Sequence, residues 1–211
     1  TGYYLLSSNN NEADTNNAAP DGVTSINSDG FTLGANSSNT DGGWSIEINE
    51  NNGNYVAWNW KGGGSASSNS DGTITSSISV NPSAGFSIVT WTGTGSAATI
   101  GHGLGVAPKW LVVKLRSGSQ DWFVNNGMIL NDYGKYFKWN STGTAASDTN
   151  VFPNTAPTST VFSVGTDNAV NGSGDTYVAY VFSEVASYSK HGSYAANGNA
   201  DGVFVYTGFR P

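Results

Sequence analysis

The sequence predicts an all-β protein, an antiparallel β-sandwich built from many short strands. Charged residues make up only 11% of the 211 residues, glycine occurs 28 times, and no stretch has the apolar periodicity of a long amphipathic helix. Clusters of Gly, Asn, Asp and Pro, which are typical of turns, separate short runs rich in β-branched and aromatic residues. Because 37% of the residues are hydrophobic, the chain has enough apolar side chains to bury a core.

Alternation and β-branched content predict the individual strands, in which successive side chains take opposite faces of a sheet. Two of the runs, "YVAWNW" and "YVAYVF", are apolar on both faces, so we expect them to be central strands. The predicted strands are residues 30–34, 43–49, 54–60, 86–91, 109–115, 121–125, 135–139, 160–164, 176–183 and 202–206.

These two runs belong to an internal repeat. "FTLG" at 31–34 precedes "YVAWNW" at 55–60, and "FSVG" at 162–165 precedes "YVAYVF" at 177–182. The order is the same in both copies, and the longer spacing in the first copy indicates a loop insertion around "NTDGGWSIEINENNG". We therefore expect the repeated segments to be core strands of two related units.

A second pair of matching segments extends the repeat. "WTGTG" at 91–95 is followed by "GVAP" at 105–108, and "YAANG" at 194–198 is followed by "GFRP" at 208–211. Trp91 and Pro108 are separated by 17 positions, as are Tyr194 and Pro211. The repeated element is about 100 residues long, which is a domain-sized repeat and exceeds the period of a solenoid.

The repeat divides the chain into four predicted segments. Residues 1–64 form the C-terminal half of a unit, and residues 65–84 form a Gly/Ser-rich linker or exposed hairpin. Residues 85–186 form a complete β-sandwich unit, and residues 187–211 form the N-terminal part of a further unit. Incomplete units at both ends lead us to expect a portion of a longer tandem array.

Charge and cysteine content narrow the expected partners. The formal net charge is -7, so no basic stripe is present to meet phosphates, and we expect neither nucleic acid nor an anionic membrane surface as a partner. The absence of cysteine excludes disulfides and thiolate metal sites. No apolar run approaches the roughly 18 residues of a membrane helix. A polar, weakly charged surface favours a location outside the cell.

Three stretches carry a resemblance to a known family: "GFSIVTWTGTGSAATIGHGLGVAPKWLVVKLRSGSQDWF", "FSVGTDNAVNGSGDTYVAYVFSEV" and "YSKHGSYAANGNADGVFVYTGFRP". They resemble the tandem concanavalin A-like domains of tailed-phage tail-fibre and tail-spike proteins, notably of marine phages. The resemblance implies a jelly-roll-like sandwich, a place in the virion, and assembly with copies of itself or with other virion proteins as a homo-oligomer. It also implies host-surface polysaccharide as a ligand, but it identifies no ligand residues.

No catalytic constellation is predicted. "SIEINE" at 45–50 resembles the E-x-D-x-x-E signature of laminarinase-like hydrolases, but Asn49 replaces the central acid. On a strand, Glu47 and Glu50 would point to opposite faces and could not flank one glycosidic bond. The two histidines, His102 and His191, do not occupy matching positions in the repeat, and His102 is expected in a polar turn. We therefore predict a protein that is not an enzyme.

Metal ions and cofactors have no motif in this sequence. Asp14, Asp21, Asp29 and Asp41 lie in Asn-rich segments and could supply oxygen ligands to Ca²⁺, yet they lack a fixed calcium-loop spacing. We expect them to be turn residues, whose side chains tolerate unusual backbone angles. No cofactor is predicted, and Ca²⁺ stays an open alternative.

The tryptophans suggest a sugar-stacking site, because an aromatic face matches the apolar face of a pyranose. Trp58 and Trp91 lie within repeated apolar segments and are expected to pack in the core. The candidate glycan-binding residues stand beside turn residues, amides and acids: Trp44 in "DGGWS", Trp122 after "SGSQD" and Tyr133 in "NDYGK".

Three classes of function remain open at this stage. The first is a non-enzymatic structural or adhesion domain of a phage tail fibre or related appendage that binds host glycans through its loops. The second is a self-assembling extracellular filament or surface protein whose partial units are completed by neighbouring chains. The third is a secreted polysaccharide hydrolase, which would require an activity that depends on Glu47.

Overall fold

The structure is a computed structural model that describes residues 4–5, 11–13, 15–16, 23–34 and 49–210. The chain divides into two compact units. The small unit consists of Thr1–Ser7 and Asp14–Asn59, and the large unit consists of Ser8–Ala13 and Trp60–Pro211.

Two antiparallel strand pairs lie in the described part of the small unit. β1 (Tyr4–Leu5) pairs with β2 (Thr15–Asn16), and β3 (Val23–Ile26) pairs with β4 (Phe31–Leu33). The sequence "NSDG" connects β3 to β4, and such polar, glycine-containing turns favour a short hairpin.

The large unit is built around one eight-stranded antiparallel sheet with the order β12-β11-β10-β9-β14-β7-β6-β5. β8 and β13 form a separate antiparallel pair, and two helical turns of four residues, α1 (Gly127–Leu130) and α2 (Asn168–Asn171), interrupt the loops. None of the described helices is long and apolar enough to cross a membrane. The strands are β5 (Ser67–Asn69), β6 (Ser76–Asn81), β7 (Phe86–Thr92), β8 (Ala98–Gly101), β9 (Trp110–Leu115), β10 (Phe123–Asn125), β11 (Lys135–Lys138), β12 (Ala146–Ser147), β13 (Val161–Val164) and β14 (Thr176–Phe182).

The core of the large unit lies between one face of this sheet and the β8–β13 layer, as in a β-sandwich. Alternate residues of the central strands point into it, for example Val89 and Trp91 on β7. Across the core, Ile100 of β8 and Phe162 of β13 are also buried. The predicted all-β antiparallel sandwich is therefore confirmed.

The opposite face of the sheet is also partly buried. Lys114, on β9, is fully buried there, and its Nζ donates to three backbone carbonyls, those of Asn11 at 3.4 Å, Leu115 at 3.0 Å and Gln120 at 2.9 Å. The N-terminal residues 11–13 therefore lie against this face. Carbonyl acceptors explain how a cation is retained inside the fold.

Several predicted strands match the structure, and two do not. The central strands β7, β9 and β14 lie where apolar runs predicted them. Residues 54–60 and 202–206 were predicted to be strands, but neither range forms one, and both are exposed. An apolar run becomes a sheet strand only when partner strands satisfy its backbone groups, and these ranges have no such partners among the described residues. Most of the predicted strand 43–49 lies outside the described residues.

The range 65–84, predicted to be a linker or exposed hairpin, is more ordered than its composition indicates. It contains β5 and β6, which form a hairpin at the edge of the eight-stranded sheet. Ile74 and Ile78 from this range are buried in the core. Apolar residues alternate with serine and threonine in "TITSSISV", which is the pattern of a strand. The high serine content of the range favoured a linker instead.

Candidate functional site

The three residues predicted to bind a glycan do not form an exposed aromatic platform in the described structure. Trp122 is only 6% exposed, and its ring stacks on Tyr180 with centroids 6.3 Å apart. Tyr133 is half-buried against the core, and its hydroxyl donates to Asn131 Oδ1 at 3.3 Å. Trp44 lies outside the described residues. The burial of Trp122 favours packing over ligand contact for this residue.

The two tryptophans of the repeated segments differ in burial. Trp91 is 4% exposed and lies in the core, as predicted. Trp58 was also predicted to pack in the core, but it is 73% exposed, so that prediction is wrong for the structure of this chain. Trp58 belongs to the range 54–60, which pairs with no strand in the described part of the chain.

A polar groove of 390 Å³ lies on the large unit and was not found by the sequence reasoning. Strands β5, β6, β7 and β14 supply its side chains, and the residue after β9 adds a guanidinium group. The residues used below are Ser68, Ser77, Thr90, Thr92, Thr176 and Arg116. We call this feature the hydroxyl groove.

Strand register places the hydroxyl groups of the groove side by side. Ser68 pairs with Ser77, and Ser77 pairs with Thr90 across the next pair of strands. Directly paired residues in an antiparallel sheet have their Cβ atoms about 4.5–5.5 Å apart on one face. These hydroxyls therefore form a row across three strands.

The row lies on the face opposite the core. Thr90 stands between the core residues Val89 and Trp91, so its side chain takes the other face of β7. Thr92, two positions further, pairs with Thr176 at the start of β14. The groove thus continues along one end of the sheet.

Among the described residues that line the groove, Arg116 is the charged one. The backbone N–H of Arg116 donates to the Thr176 carbonyl at 2.8 Å, which fixes the position of Arg116 beside the threonine pair. The described lining can therefore donate and accept hydrogen bonds through its hydroxyl and guanidinium groups.

A small network orients one end of the groove. The Ser117 hydroxyl donates to Asp175 Oδ1 at 2.8 Å and accepts the Thr176 N–H at 3.1 Å. These two bonds hold the start of β14 against the end of β9. The threonine pair is therefore presented on a fixed backbone, which suits a preformed binding surface.

The two histidines serve structure in the described part of the chain. His102 is completely buried, its Nδ1 accepts the Leu104 N–H at 3.1 Å, and its Nε2 lies 3.3 Å from the Thr158 carbonyl. Since Nδ1 accepts, Nε2 carries the proton and donates to that carbonyl. Burial lowers the pKa of His102, which keeps the ring neutral. The turn that holds His102 is polar in sequence, but it is buried in the fold.

His191 is the other histidine and packs between aromatic rings. Its ring stacks on Trp110 with centroids 6.4 Å apart and lies 6.0 Å from the ring of Phe182. Burial lowers the pKa of His191 as well. Neither histidine lines the hydroxyl groove.

Metal ligands do not cluster in the described residues. No group of three or more His, Asp or Glu side chains that could hold an ion occurs there. Of the candidate calcium ligands, Asp29 is described, whereas Asp14, Asp21 and Asp41 are not. Glu47, from the hydrolase-like motif, also lies outside the described residues, and Asn49 donates from Nδ2 to the Gly34 carbonyl at 2.6 Å.

These features define an all-β sandwich protein with an open, hydroxyl-lined groove on the outer face of its main sheet. The chain belongs to the family described as a domain of unknown function, DUF7483, whose model matches residues 2–211. No curated protein and no solved structure matches the chain.

Proposed function

We propose that this protein is a non-enzymatic adhesion domain of a tailed-phage tail fibre or related virion appendage, and that it holds a host-surface polysaccharide in the hydroxyl groove. The observation that carries the proposal is the row of serine and threonine hydroxyls beside a single arginine. Such a surface offers donors and acceptors at short, regular spacing, which suits a polymer of hydroxylated rings.

The appendage part of the proposal rests on the family resemblance of the three quoted stretches. The composition supports it, because a chain with net charge -7 and no cysteine suits a solvent-facing protein outside the cell. Copies of the chain and other virion proteins are the partners that this role requires.

The adhesion part rests on the chemistry of the groove. Glycoside hydrolysis in most families needs a pair of carboxylates about 5–10 Å apart across the scissile bond. The lining residues that the structure describes include none, which favours holding a bound sugar over cleaving it. This reasoning favours an adhesin over the secreted hydrolase.

Binding is tested with a panel of purified bacterial capsular and lipopolysaccharide glycans, first on an array and then by isothermal titration calorimetry. The test variant is Thr92→Val with Thr176→Val, because valine keeps the shape and strand propensity of threonine and removes only the hydroxyl. Two lost hydrogen bonds of about 1 kcal/mol each predict a roughly tenfold to thirtyfold weaker association. Thr142→Val, at an exposed threonine outside the groove lining, is the matched control and should bind as the parent does.

Three results would count against the proposal. Binding that the double variant leaves unchanged would place the ligand elsewhere. Release of reducing sugar from a bound polysaccharide would contradict the non-enzymatic role. Absence of the chain from purified virions of its source, tested by mass spectrometry, would contradict the appendage role.

A further inference from the structure

The small unit carries an apolar groove of 470 Å³. β3 and β4 form one side of it, and residues 55–59 form the other. Large apolar side chains are open to solvent here, including Tyr55 at 51% and Trp58 at 73% exposure. Exposed apolar surface of this kind marks an interaction site in a folded protein.

The second unpartnered feature is residues 192–206, which we call the C-terminal segment. It contains no strand, and every residue in it is exposed. Tyr194 is 69% exposed and Phe204 is 85% exposed, within the apolar run "VFVY". A segment that pairs with no described strand and carries an exposed apolar run has the chemistry of a donated β-strand.

The internal repeat relates these two features to strands that pair in the large unit. β4 corresponds to β13, and residues 55–57 correspond to the start of β14 through the shared "YVA". The C-terminal segment corresponds to the end of β7 and to β8, because "YAANG" matches "WTGTG". In the large unit β13 pairs with β8, and β14 pairs with β7.

Three aromatic residues make this correspondence specific. In the large unit, Trp91 stacks on Tyr177 with centroids 5.4 Å apart and meets Phe162 edge-on at 5.9 Å. All three are buried, with 4%, 0% and 1% exposure respectively. They join β7, β14 and β13 within the core.

The matching residues are aromatic as well. Tyr194 corresponds to Trp91, Tyr55 to Tyr177, and Phe31 to Phe162. Tyr194, Tyr55 and Phe31 are 69%, 51% and 37% exposed. The small unit and the C-terminal segment therefore carry exposed aromatic residues at the three positions that form the buried cluster of the large unit.

In the described part of the chain, no strand occupies the backbone edge of β4 that such pairing needs. Successive residues of an antiparallel strand direct their N–H and C=O groups to alternate edges. The Gly30 carbonyl accepts the Asn27 N–H at 2.8 Å, so Gly30 faces β3, and Phe31 directs its backbone groups to the opposite edge. Among the described residues, β4 pairs with β3 alone.

Strand β13, the counterpart of β4 in the large unit, pairs with β8 through the corresponding edge. The Thr160 carbonyl accepts the His102 N–H at 3.1 Å, so Phe162, two positions further, directs its backbone groups to β8. Phe162 corresponds to Phe31. Strand β3 therefore leaves unoccupied the edge of β4 that corresponds to the β8-binding edge of β13.

We propose that the C-terminal segment of one copy of this chain pairs with the small unit of a second copy and completes its sandwich. The register follows from the large unit: Phe31 lies opposite Val203, Thr32 opposite Gly202, and Tyr55 opposite Tyr194. Residues 201–204 add a strand to the open edge of β4, and residues 192–194 pair with residues 55–57. This inference is independent of the hydroxyl groove, so either can fail without the other.

The occupant is a second copy because one chain presents both the strand and its acceptor in exposed form. The segment leaves the large unit after residues that are held there: Val185 and Ser189 form a β-bridge, and His191 packs on Trp110. Each copy then donates one strand and accepts one, which builds a dimer if two copies exchange segments, and a ring or a filament if the exchange runs head to tail.

Disulfide trapping tests the register, and the chain has no cysteine of its own. One copy carries Thr32→Cys and a differently tagged copy carries Gly202→Cys. Both positions are exposed, and a Cβ at Gly202 meets nothing within 4 Å, so the substitutions leave the fold intact. Opposed residues in antiparallel strands have Cα atoms about 4.5–5.5 Å apart, within the range that a disulfide spans.

Ala57→Cys with Gly192→Cys is a second pair that the register places opposite each other, and a Cβ at Gly192 is equally unobstructed. The control combines one site from each pair: Thr32→Cys with Gly192→Cys, which the register does not place opposite each other. We expect both matched pairs to form mixed-tag disulfides at least tenfold faster than the mismatched pair.

Other outcomes would overturn the proposal. Equal rates for matched and mismatched pairs would show that the register does not exist. A chain with both Thr32→Cys and Gly202→Cys that closes its bridge only within itself would show completion inside one chain. Sedimentation gives a measurement without cysteine. In this register Val203 takes the place of the core residue Ile100, so Val203→Asp should abolish concentration-dependent association, whereas Val106→Asp, at another exposed valine, should not. Association that survives Val203→Asp would contradict the segment's role.

Discussion

The hydroxyl of Tyr177 ties the central strand β14 to the helical turn α2, and its removal should measurably destabilise the large unit. The side chain is fully buried. Its hydroxyl donates to the Asn168 carbonyl at 2.6 Å and accepts the Gly172 N–H at 2.7 Å. The Gly172 N–H and the Asn168 carbonyl are four residues apart, so they could bond to each other directly if α2 continued by one residue. The Tyr177 hydroxyl lies between them and bonds to both.

Tyr177→Phe deletes this bridge and keeps the ring that stacks on Trp91. Two buried backbone groups then lose a partner, and each unsatisfied group costs about 1–3 kcal/mol, so we expect a total loss of about 2–3 kcal/mol after local relaxation. In a chain of this size, 1 kcal/mol shifts Tm by about 2–4 °C, which predicts a fall of about 4–12 °C. Urea unfolding followed by tryptophan fluorescence gives the free energy directly.

Tyr188→Phe is the control, because Tyr188 is 61% exposed and its hydroxyl lies outside the core. It should change the free energy of unfolding by less than about 0.5 kcal/mol. A loss below that value for Tyr177→Phe would refute the reasoning, since it would mean that α2 closes its own hydrogen bond once the hydroxyl is gone.

The alkaline pH dependence provides a second check on the same residue. Burial raises the pKa of Tyr177 from 10.0 to about 12. The folded state therefore favours the neutral phenol, so the stability it contributes is present below pH 10 and is lost as the pH rises toward 12. Tyr177→Phe should flatten this alkaline loss, and an unchanged slope would show that Tyr177 does not cause it.

Two further predictions concern buried polar groups. Because burial lowers the pKa of His102 from 6.5, its stability contribution is present above pH 6.5 and is lost as the pH falls below it. Urea midpoints across the acid range should therefore fall less in His102→Gln than in the parent, and an equal fall would contradict this. Lys114→Ala leaves carbonyls unsatisfied and should lower the free energy of unfolding by about 2–4 kcal/mol in the same assay. Lys109→Ala, at an exposed lysine, should leave it unchanged. Equal losses in the two variants would contradict the role of Lys114.

Much of the fold of the large unit could be predicted from local pattern. Residues 109–115 and 176–183 are apolar on both faces, and only a central strand with both faces covered buries such a run. Both are central strands of the eight-stranded sheet. The serine-rich strands β5, at the edge of the sheet, and β6, beside it, were harder to predict, because serine hydroxyls are compatible with loops and with the outer face of a sheet.

The candidate site could not be predicted, for a related reason. Ser77, Thr90 and Thr176 come from three separate parts of the chain, and only the strand register brings their side chains together. Reasoning from aromatic residues pointed instead to Trp122, whose ring the fold buries. The period-two spacing of serine and threonine was the one signal available, and it does not specify which strands are neighbours.

The two repeated segments show most clearly what the sequence determines and what the tertiary structure decides. "YVAYVF" and "YVAWNW" have nearly the same local preference for a strand, and the sequence by itself determined that preference. Residues 177–182 form β14 because β7 and β9 pair with its two edges, whereas residues 55–60 form no strand and stay exposed. A β-strand takes its hydrogen bonds from its neighbours, so local sequence defines which residues can form one and tertiary structure decides which of them do.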